Sequence, residues 1–281
     1  MTTTEQLRLA GMPRRLFACT PSRLAAYDCP RRYRFSYVDR PAPPKGPPWA
    51  HNTVGAIAHL ALAKWWLLPR AHRTPEAGGD LVERNWQDLG FRDEAQAAQV
   101  RARTVDWVQR YLATQADPAD EPVGVERTVA TRTERLAISG RIDRVDERGD
   151  ELVVVDYKTG RRRLADDDAR GSQALALYVL AVRRTLRRAC RRVELHHLPT
   201  GEVHAFEHTD ASLQRHLERA EDTAADIVTA TDTLASGADP DDVFPPAPSP
   251  ACSWCDFRRN CPEGRAASPE LDPWAGLDDG N

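Results

Sequence analysis

The sequence predicts an α/β fold, a sheet core flanked by helices, with a helical elaboration before it and a cysteine cluster after it. Three observations lead there. Up to about residue 115, apolar residues recur at helical spacing or in long runs. Between about 123 and 158 the period drops to two. Beyond residue 250, Cys252, Cys255 and Cys261 fall close together. Helices, then a β-meander, then a helix and two more strands make a layered sheet domain.

A chain of 281 residues suffices for one large domain or a domain with a satellite. We expect a single domain over 1–265: mainly helical from 20 to 120, sheet core from 121 to 236, cysteine staple from 250 to 263. A flexible tail is expected from 266 to 281. The start "MTTTEQLRLAGMPRRLF" lacks the apolar stretch of a signal peptide, and no apolar run approaches the roughly 20 residues of a membrane helix. A cytoplasmic location follows as the expectation, where cysteines serve as metal ligands or thiols more often than as disulfides. A net charge of −3 excludes a uniformly basic nucleic-acid binder and leaves only local patches.

The elements are expected in this order. A helix covers 21–38, with Ser22 as cap, followed by a proline-rich loop over 40–50. An apolar helix covers 52–68 and ends at Pro69; helices at 81–89 and 94–115 follow a turn-rich connection. "PVGVERTVATRT", "RLAISGRIDRVD" and "ELVVVDYKT" alternate as three strands. A helix over 172–190 leads to a hairpin over 192–209, turning at Pro199–Gly201, and a long helix covers 210–236.

The stretch "GRIDRVDERGDELVVVDYKTG" (140–160) carries the chemistry. With a turn over Glu147–Asp150, Asp146 pairs with Glu151 and Asp143 with Val154. Alternation then puts Asp143, Val154, Asp156 and Lys158 on one face, and Val153, Val155 and Tyr157 on the other. Asp143 and Asp156 become diagonal neighbours whose carboxylates can share one divalent cation. Lys158 stands alongside, where an ammonium can orient or deprotonate a water or stabilise charge on a phosphate. Only three of the 39 basic residues are lysines, so a lysine here reads as chemistry that arginine cannot perform. The alternative is a surface hairpin whose aspartates mark turns and strand ends, and a one-residue slip would send Asp143 to the other face.

Other residues stay open on their own. His59, in "VGAIAHLAL", is a buried structural histidine or a ligand. Glu126, in "GVERTV", is an edge-strand charge or a supporting acid. Cys252-x2-Cys255-x5-Cys261 has metal-ligand spacing, and Cys29 in "YDCPRRYRF" offers a fourth thiol. Four thiolates suit zinc or a 4Fe–4S cluster, and spacing does not choose. Cys19 and Cys190 read as free thiols. The six arginines of "RRTLRRACRR" (183–192) are a solvated helix end or phosphate contacts; Arg161, Arg162 and Arg163, beside the hairpin, are better placed to grip a substrate backbone.

Together these segments resemble the RecB-family exonucleases of the PD-(D/E)XK nuclease superfamily, a group that includes AddB-type and CRISPR-adaptation nucleases. "GRIDRVD…VVVDYKTG" is similar to their motifs II and III, and Gly55-x-x-x-His59 to an upstream helical element. The resemblance implies a restriction-endonuclease-like core with a mixed sheet, and Mg²⁺- or Mn²⁺-dependent hydrolysis of DNA, at single strands or ends, in repair or recombination. It implies His59, Asp143, Asp156 and the Tyr157 carbonyl as metal ligands, with Asp143, Asp156, Lys158, Tyr178 and Gln173 catalytic. Members also carry Q-x-x-x-Y after the hairpin. Here Gln173 and Tyr178 are five apart, which turns them roughly 140° from each other on a helix. The "CP" at Cys29 and C-x2-C-x5-C-P at the other end imply a 4Fe–4S staple on Cys29, Cys252, Cys255 and Cys261, near the DNA entry, with zinc as the alternative. The sequence has no G-x-x-x-x-G-K-[ST] loop for ATP, so a helicase would be a separate partner. The competing expectation is a catalytically silent DNA-binding or assembly subunit.

Overall fold

Gly149 sets the geometry of the sheet. The computed structural model describes residues 16–277, and in it Gly149 has φ +66° at the tip of the central hairpin. Positive φ at the first of two turn residues is what a tight type II′ connection needs. Strands β3 (Leu136–Arg148) and β4 (Glu151–Lys158) therefore pair with Arg148 opposite Glu151 and Arg144 opposite Val155. The expected register, built on a wider turn, is corrected by two residues. A shift of two preserves which face each side chain takes.

The six-stranded sheet is mixed. Strand β1 (Phe17–Cys19) runs parallel to the first residues of β3, and β2 (Gly124–Arg132) lies antiparallel on the other side of β3. Strand β5 (Cys190–His197) is parallel to β4, and β6 (Glu202–Glu207) closes the far edge antiparallel. A parallel pair needs a crossover. The segment between β4 and β5 supplies it as helices α6 (Asp166–Gly171) and α7 (Gln173–Leu186).

The remaining helices, numbered in chain order, are α1 (Pro21–Ala25), α2 (Pro30–Tyr37), α3 (Ala50–Trp66), α4 (Pro75–Arg84), α5 (Glu94–Gln115), α8 (Asp210–Ala235), α9 (Pro240–Val243) and α10 (Pro262–Ala267). Their starts follow from sequence. Thr74, Asp93, Ser172 and Thr209 each accept a hydrogen bond from a backbone N–H of the first turn. Strand β4 is covered on both faces. Val153, Val155 and Tyr157 pack on Ile57, Leu62 and Trp66 of α3 and Tyr111 of α5; Leu152 and Val154 pack on Leu175, Val179 and Val182 of α7. A third cluster joins β1 and β3 to α8 through Leu136, Ile138, Ala224 and Ile227.

Several expectations shift. The 21–38 helix is broken before Cys29, and α4 begins at Pro75 rather than 81. Cys190 opens β5 instead of closing a helix, because Arg187 adopts φ +54° and ends α7. The tail expected to be flexible from 266 is ordered to Leu277: α10 runs to Ala267, Leu277 is buried against Ala50, Val54 and Val100, and Ala50 N donates to Pro273 O. Residues 278–281 lie outside the described residues.

Candidate active site

Three acids occupy one rung of the sheet. The register Val125–Arg144 and Arg127–Ile142 sets Glu126 opposite Asp143, and the next step beyond Arg144–Val155 sets Asp156 opposite Asp143 from the other side. The diagonal arrangement expected for Asp143 and Asp156 thus becomes a direct one. Like charges facing across strands repel, so this rung calls for a cation.

Strict alternation fails at this rung, contrary to expectation. Ile142 packs on the α7 side, whereas Arg144 lies over Trp66 and Tyr157 on the α3 side. On β2, Val129 joins the α7 side and Val125 the α3 side. Both strands switch faces between these residues, and Glu126 has φ +49°. A non-glycine residue held there stores strain, a feature that gathers at functional sites. The switch lets Asp143 meet α3: His59 Nδ1 lies 3.2 Å from Asp143 Oδ1, while Tyr157 N donates to Asp143 Oδ2 at 2.9 Å. Donor atoms of His59, Glu126 and Asp143 all fall within 4.8 Å of one another, a spacing that fits one divalent ion. Asp156 adjoins them and bears Lys158, with Nζ 2.5 Å from Oδ2. Arg141 pairs with Glu126 at 2.8 Å.

Burial is the first cause of the raised pKa values of two of the three acids. Burial raises the Asp156 pKa; Lys158 opposes this and Asp143 adds to it. Burial and then Asp143 raise Glu126, against Arg141. Burial pulls the His59 pKa down, but the bond to Asp143 and the acids around it leave it raised. Tyr178 is pushed up by burial and by Asp156 and Asp143. Its ring lies on Gly140, where a Cβ would come within 2.5 Å of it. Gln173 is not brought to the site: its Nε2 donates to the His216 carbonyl of α8 at 3.3 Å. The extra residue between Gln173 and Tyr178 rotates them apart, and only Tyr178 faces the carboxylates.

A buried network supports the rung from the α3 side and escaped sequence reasoning. Arg144 donates to Tyr111 Oη (3.1 Å), Tyr157 Oη (3.0 Å) and Asp146 Oδ2 (2.9 Å). Trp66 Nε1 donates to Tyr157 Oη at 3.3 Å, and Tyr111 Oη meets His196 Nδ1 at 2.8 Å. His196 Nε2 contacts Glu194, which also pairs with Arg148 and Arg192. Burial works against Glu194 as an anion, yet His196, Arg192 and Arg148 bring its pKa down to about 2. The doublet His196–His197 in an apolar strand was the signal available.

The four expected cysteines come together. Cys29 precedes α2, Cys261 precedes α10, and both line one cavity with Cys252, Cys255, Phe35, Phe257 and Gly264. Backbone N–H groups point at three sulfurs: Ala247 N to Cys29 at 3.5 Å, Ser249 N to Cys252 at 3.4 Å, Gly264 N to Cys261 at 3.3 Å. Arg31 Nη1 reaches Cys261 Sγ at 3.8 Å. Such donors stabilise thiolates. Cys19 and Cys190 are buried elsewhere, and burial pushes their pKa values up to about 11 and about 12. Of the arginine run, Arg183 pairs with Asp210, Arg188 with Glu147 and Arg192 with Glu194, which makes those three structural.

A family model for the PD-(D/E)XK nuclease superfamily matches residues 18–262, and the chain belongs to that superfamily. No curated protein matches it. Among solved structures it is similar to a candidate exonuclease from Eubacterium rectale, with 12% identity, 76% of this chain and 80% of that one covered, and a TM-score of 0.43. It is also similar to the protein SSO0001, with 12% identity, 90% of each chain covered and a TM-score of 0.37.

Proposed function

We propose that this chain is a Mg²⁺- or Mn²⁺-dependent deoxyribonuclease that hydrolyses phosphodiester bonds in single strands or at DNA ends, serving repair or recombination in the cytoplasm. The observation that carries the reading is the convergence of His59, Glu126 and Asp143, with Asp156 and Lys158 alongside. His59, Glu126, Asp143 and Asp156 would hold the ion, aided by the Tyr157 carbonyl; the imidazole favours Mn²⁺ more than an all-oxygen set would. When bound, the ion supplies electrophilic stabilisation of charge developing on the phosphate. The chain's own residues do the rest. Lys158, tethered to Asp156, orients the attacking water and holds positive charge beside the phosphate. Tyr157 N fixes the Asp143 carboxylate, and Tyr178 closes the α7 side over the acids.

Digestion of end-labelled single and double strands with Mg²⁺ or Mn²⁺, with circular controls, tests this. Asp143→Ala should lower activity on the order of 100-fold or more, since metal catalysis supplies several kcal/mol. Equal cleavage by both proteins would end the enzyme reading and leave a silent DNA-binding or assembly subunit. Cleavage of circles would remove the requirement for ends.

For the cysteines we propose a 4Fe–4S cluster. The convergence of four thiols on one cavity and the N–H···S contacts support it. Anaerobically purified protein should be brown and contain iron and sulfide; a colourless protein containing zinc would overturn the cluster. A helicase that delivers the strand remains the proposed partner.

A further inference from the structure

A second concavity opens at the end of β4, where its lining begins with Thr159, the residue after Lys158. It measures about 500 Å³ and is lined by Thr159, Gly160, Arg161 and Arg162 from the loop after β4, His51 and Val54 from α3, Arg103 and Trp107 from α5, Trp254, and residues 275–277. That volume falls in the roughly 300–1,000 Å³ range of ligand sites. Its described lining holds three arginines, of which Arg162 is paired with Asp168 at 2.7 Å. Arg161 is exposed and has no ion pair among the described residues. Trp254 keeps 40% of its surface exposed. Its ring stands 5.1 Å from that of Trp49 and 5.2 Å from that of His51. Burial lowers the His51 pKa.

We infer that Trp254, with Trp49 and His51 behind it, is a stacking platform for a base of a single-stranded DNA substrate, and that Arg161 holds an adjoining phosphate. The inference rests on the nuclease reading for the identity of the strand. Aromatic faces beside guanidinium groups are the chemistry by which single strands are held without regard to sequence; a paired, stacked base offers no free face. The path to the catalytic rung is short. Thr159 follows Lys158, and its Oγ1 abuts Gly55 of α3. His51, Gly55 and His59 are spaced i, i+4, i+8 and form one stripe, about 12 Å long at 1.5 Å per residue. Trp254 stands between Cys252 and Cys255, so whatever holds those sulfurs also holds the platform.

The test measures binding rather than cleavage, on the purified protein with its cluster intact and divalent ions chelated. The probes are a fluorescent oligothymidine and the same strand made abasic at alternate positions. Trp254→Ala should weaken the oligothymidine on the order of tenfold or more and leave the abasic strand nearly unaffected, while Trp254→Phe retains binding. Arg161→Ala, at an exposed position, should weaken both strands and lower the slope of log affinity against log salt by about 0.7, as for one lost phosphate contact. Unchanged binding by folded Trp254→Ala, or an equal loss on both strands, overturns the platform. Cleavage by the wild type separates the outcomes: cleavage without Trp254 dependence sinks this inference alone, and Trp254-dependent binding without cleavage sinks only the nuclease reading.

Discussion

Arg144 carries its charge with 3% of its surface exposed, wedged between two tyrosines, a tryptophan and Asp146. Such a group is held by partners on every side, so removing it leaves several polar atoms unsatisfied at once. Arg144→Ala should destabilise the fold by about 3–5 kcal/mol, read from urea unfolding. A cost below about 1 kcal/mol would mean that water replaces the guanidinium. Cleavage should also fall, since the ring of Tyr157 would lose its clamp while its N–H positions Asp143. At this scale the sequence was legible wherever residue type alone limits the chemistry. Asp143, Asp156, Lys158, His59 and the four cysteines stood out because carboxylates, an isolated lysine and paired thiols in those spacings have few other uses. Arg144 was hidden among 36 arginines, and Glu126 looked like an edge charge because its partner acid lies 17 residues away on another strand. Gln173 was misplaced because helical phase decides direction, and α7 aims it at α8.

The element that decides the site is the β3–β4 hairpin. Its register follows from the turn, and the turn from one positive φ at Gly149. A β-branched residue there pays roughly 1–2 kcal/mol for the left-handed conformation. Gly149→Val should therefore lower the unfolding free energy, read from urea denaturation, by that amount, with nothing lost by contact, since no atom lies near a Cβ at that position. An unchanged midpoint would show that the loop can relax without positive φ. The alternation of "ELVVVDYK" made the strand itself legible, and Val153, Val155 and Tyr157 share one face packed on helices. The turn length was not legible, because Glu147 and Arg148 are as acceptable in a loop as in a strand. Nor was the face switch at Glu126 and Asp143: period-two reading assumes a regular pleat, and here a strained residue breaks it.

At the scale of the molecule, three buried histidines work against stability in acid. Burial lowers the pKa values of His196, His208 and His216, His208 to about 4 from 6.5. The unfolded chain then binds protons that the folded chain refuses. That stability is fully present above pH 6.5 and is lost as pH falls towards 4. For His208 alone the loss is at most about 3 kcal/mol at 1.36 kcal/mol per unit. His208→Gln should flatten the fall in urea midpoint between pH 6.5 and 4. A curve parallel to the wild type would show that this histidine is protonated in the fold.

Segments far apart in sequence meet at the sulfurs, and the proposed centre there would tie them together. Cys29 and Cys252 are 223 residues apart in sequence, yet they line one cavity. A cross-link spanning that length removes unfolded-chain entropy worth about 5 kcal/mol by the loop-closure relation. The thiols were legible as a ligand set, whereas the packing of residues 268–277 beside them was not: Trp274 and Leu277 are isolated apolar residues without a period, and only α3 gives them a surface. Cys29→Ser frees one end while leaving three sulfurs in place, so it isolates the closure from the local ligand set. It should lower stability by several kcal/mol, whereas Cys190→Ser, lacking a cross-link, should cost only what a buried thiol contributes. Midpoints that fall equally in the two variants would show that the cysteines pack against each other without joining the ends. A fall confined to Cys29→Ser, abolished when both proteins are treated with a metal chelator, would identify a metal centre at the sulfurs as the clasp.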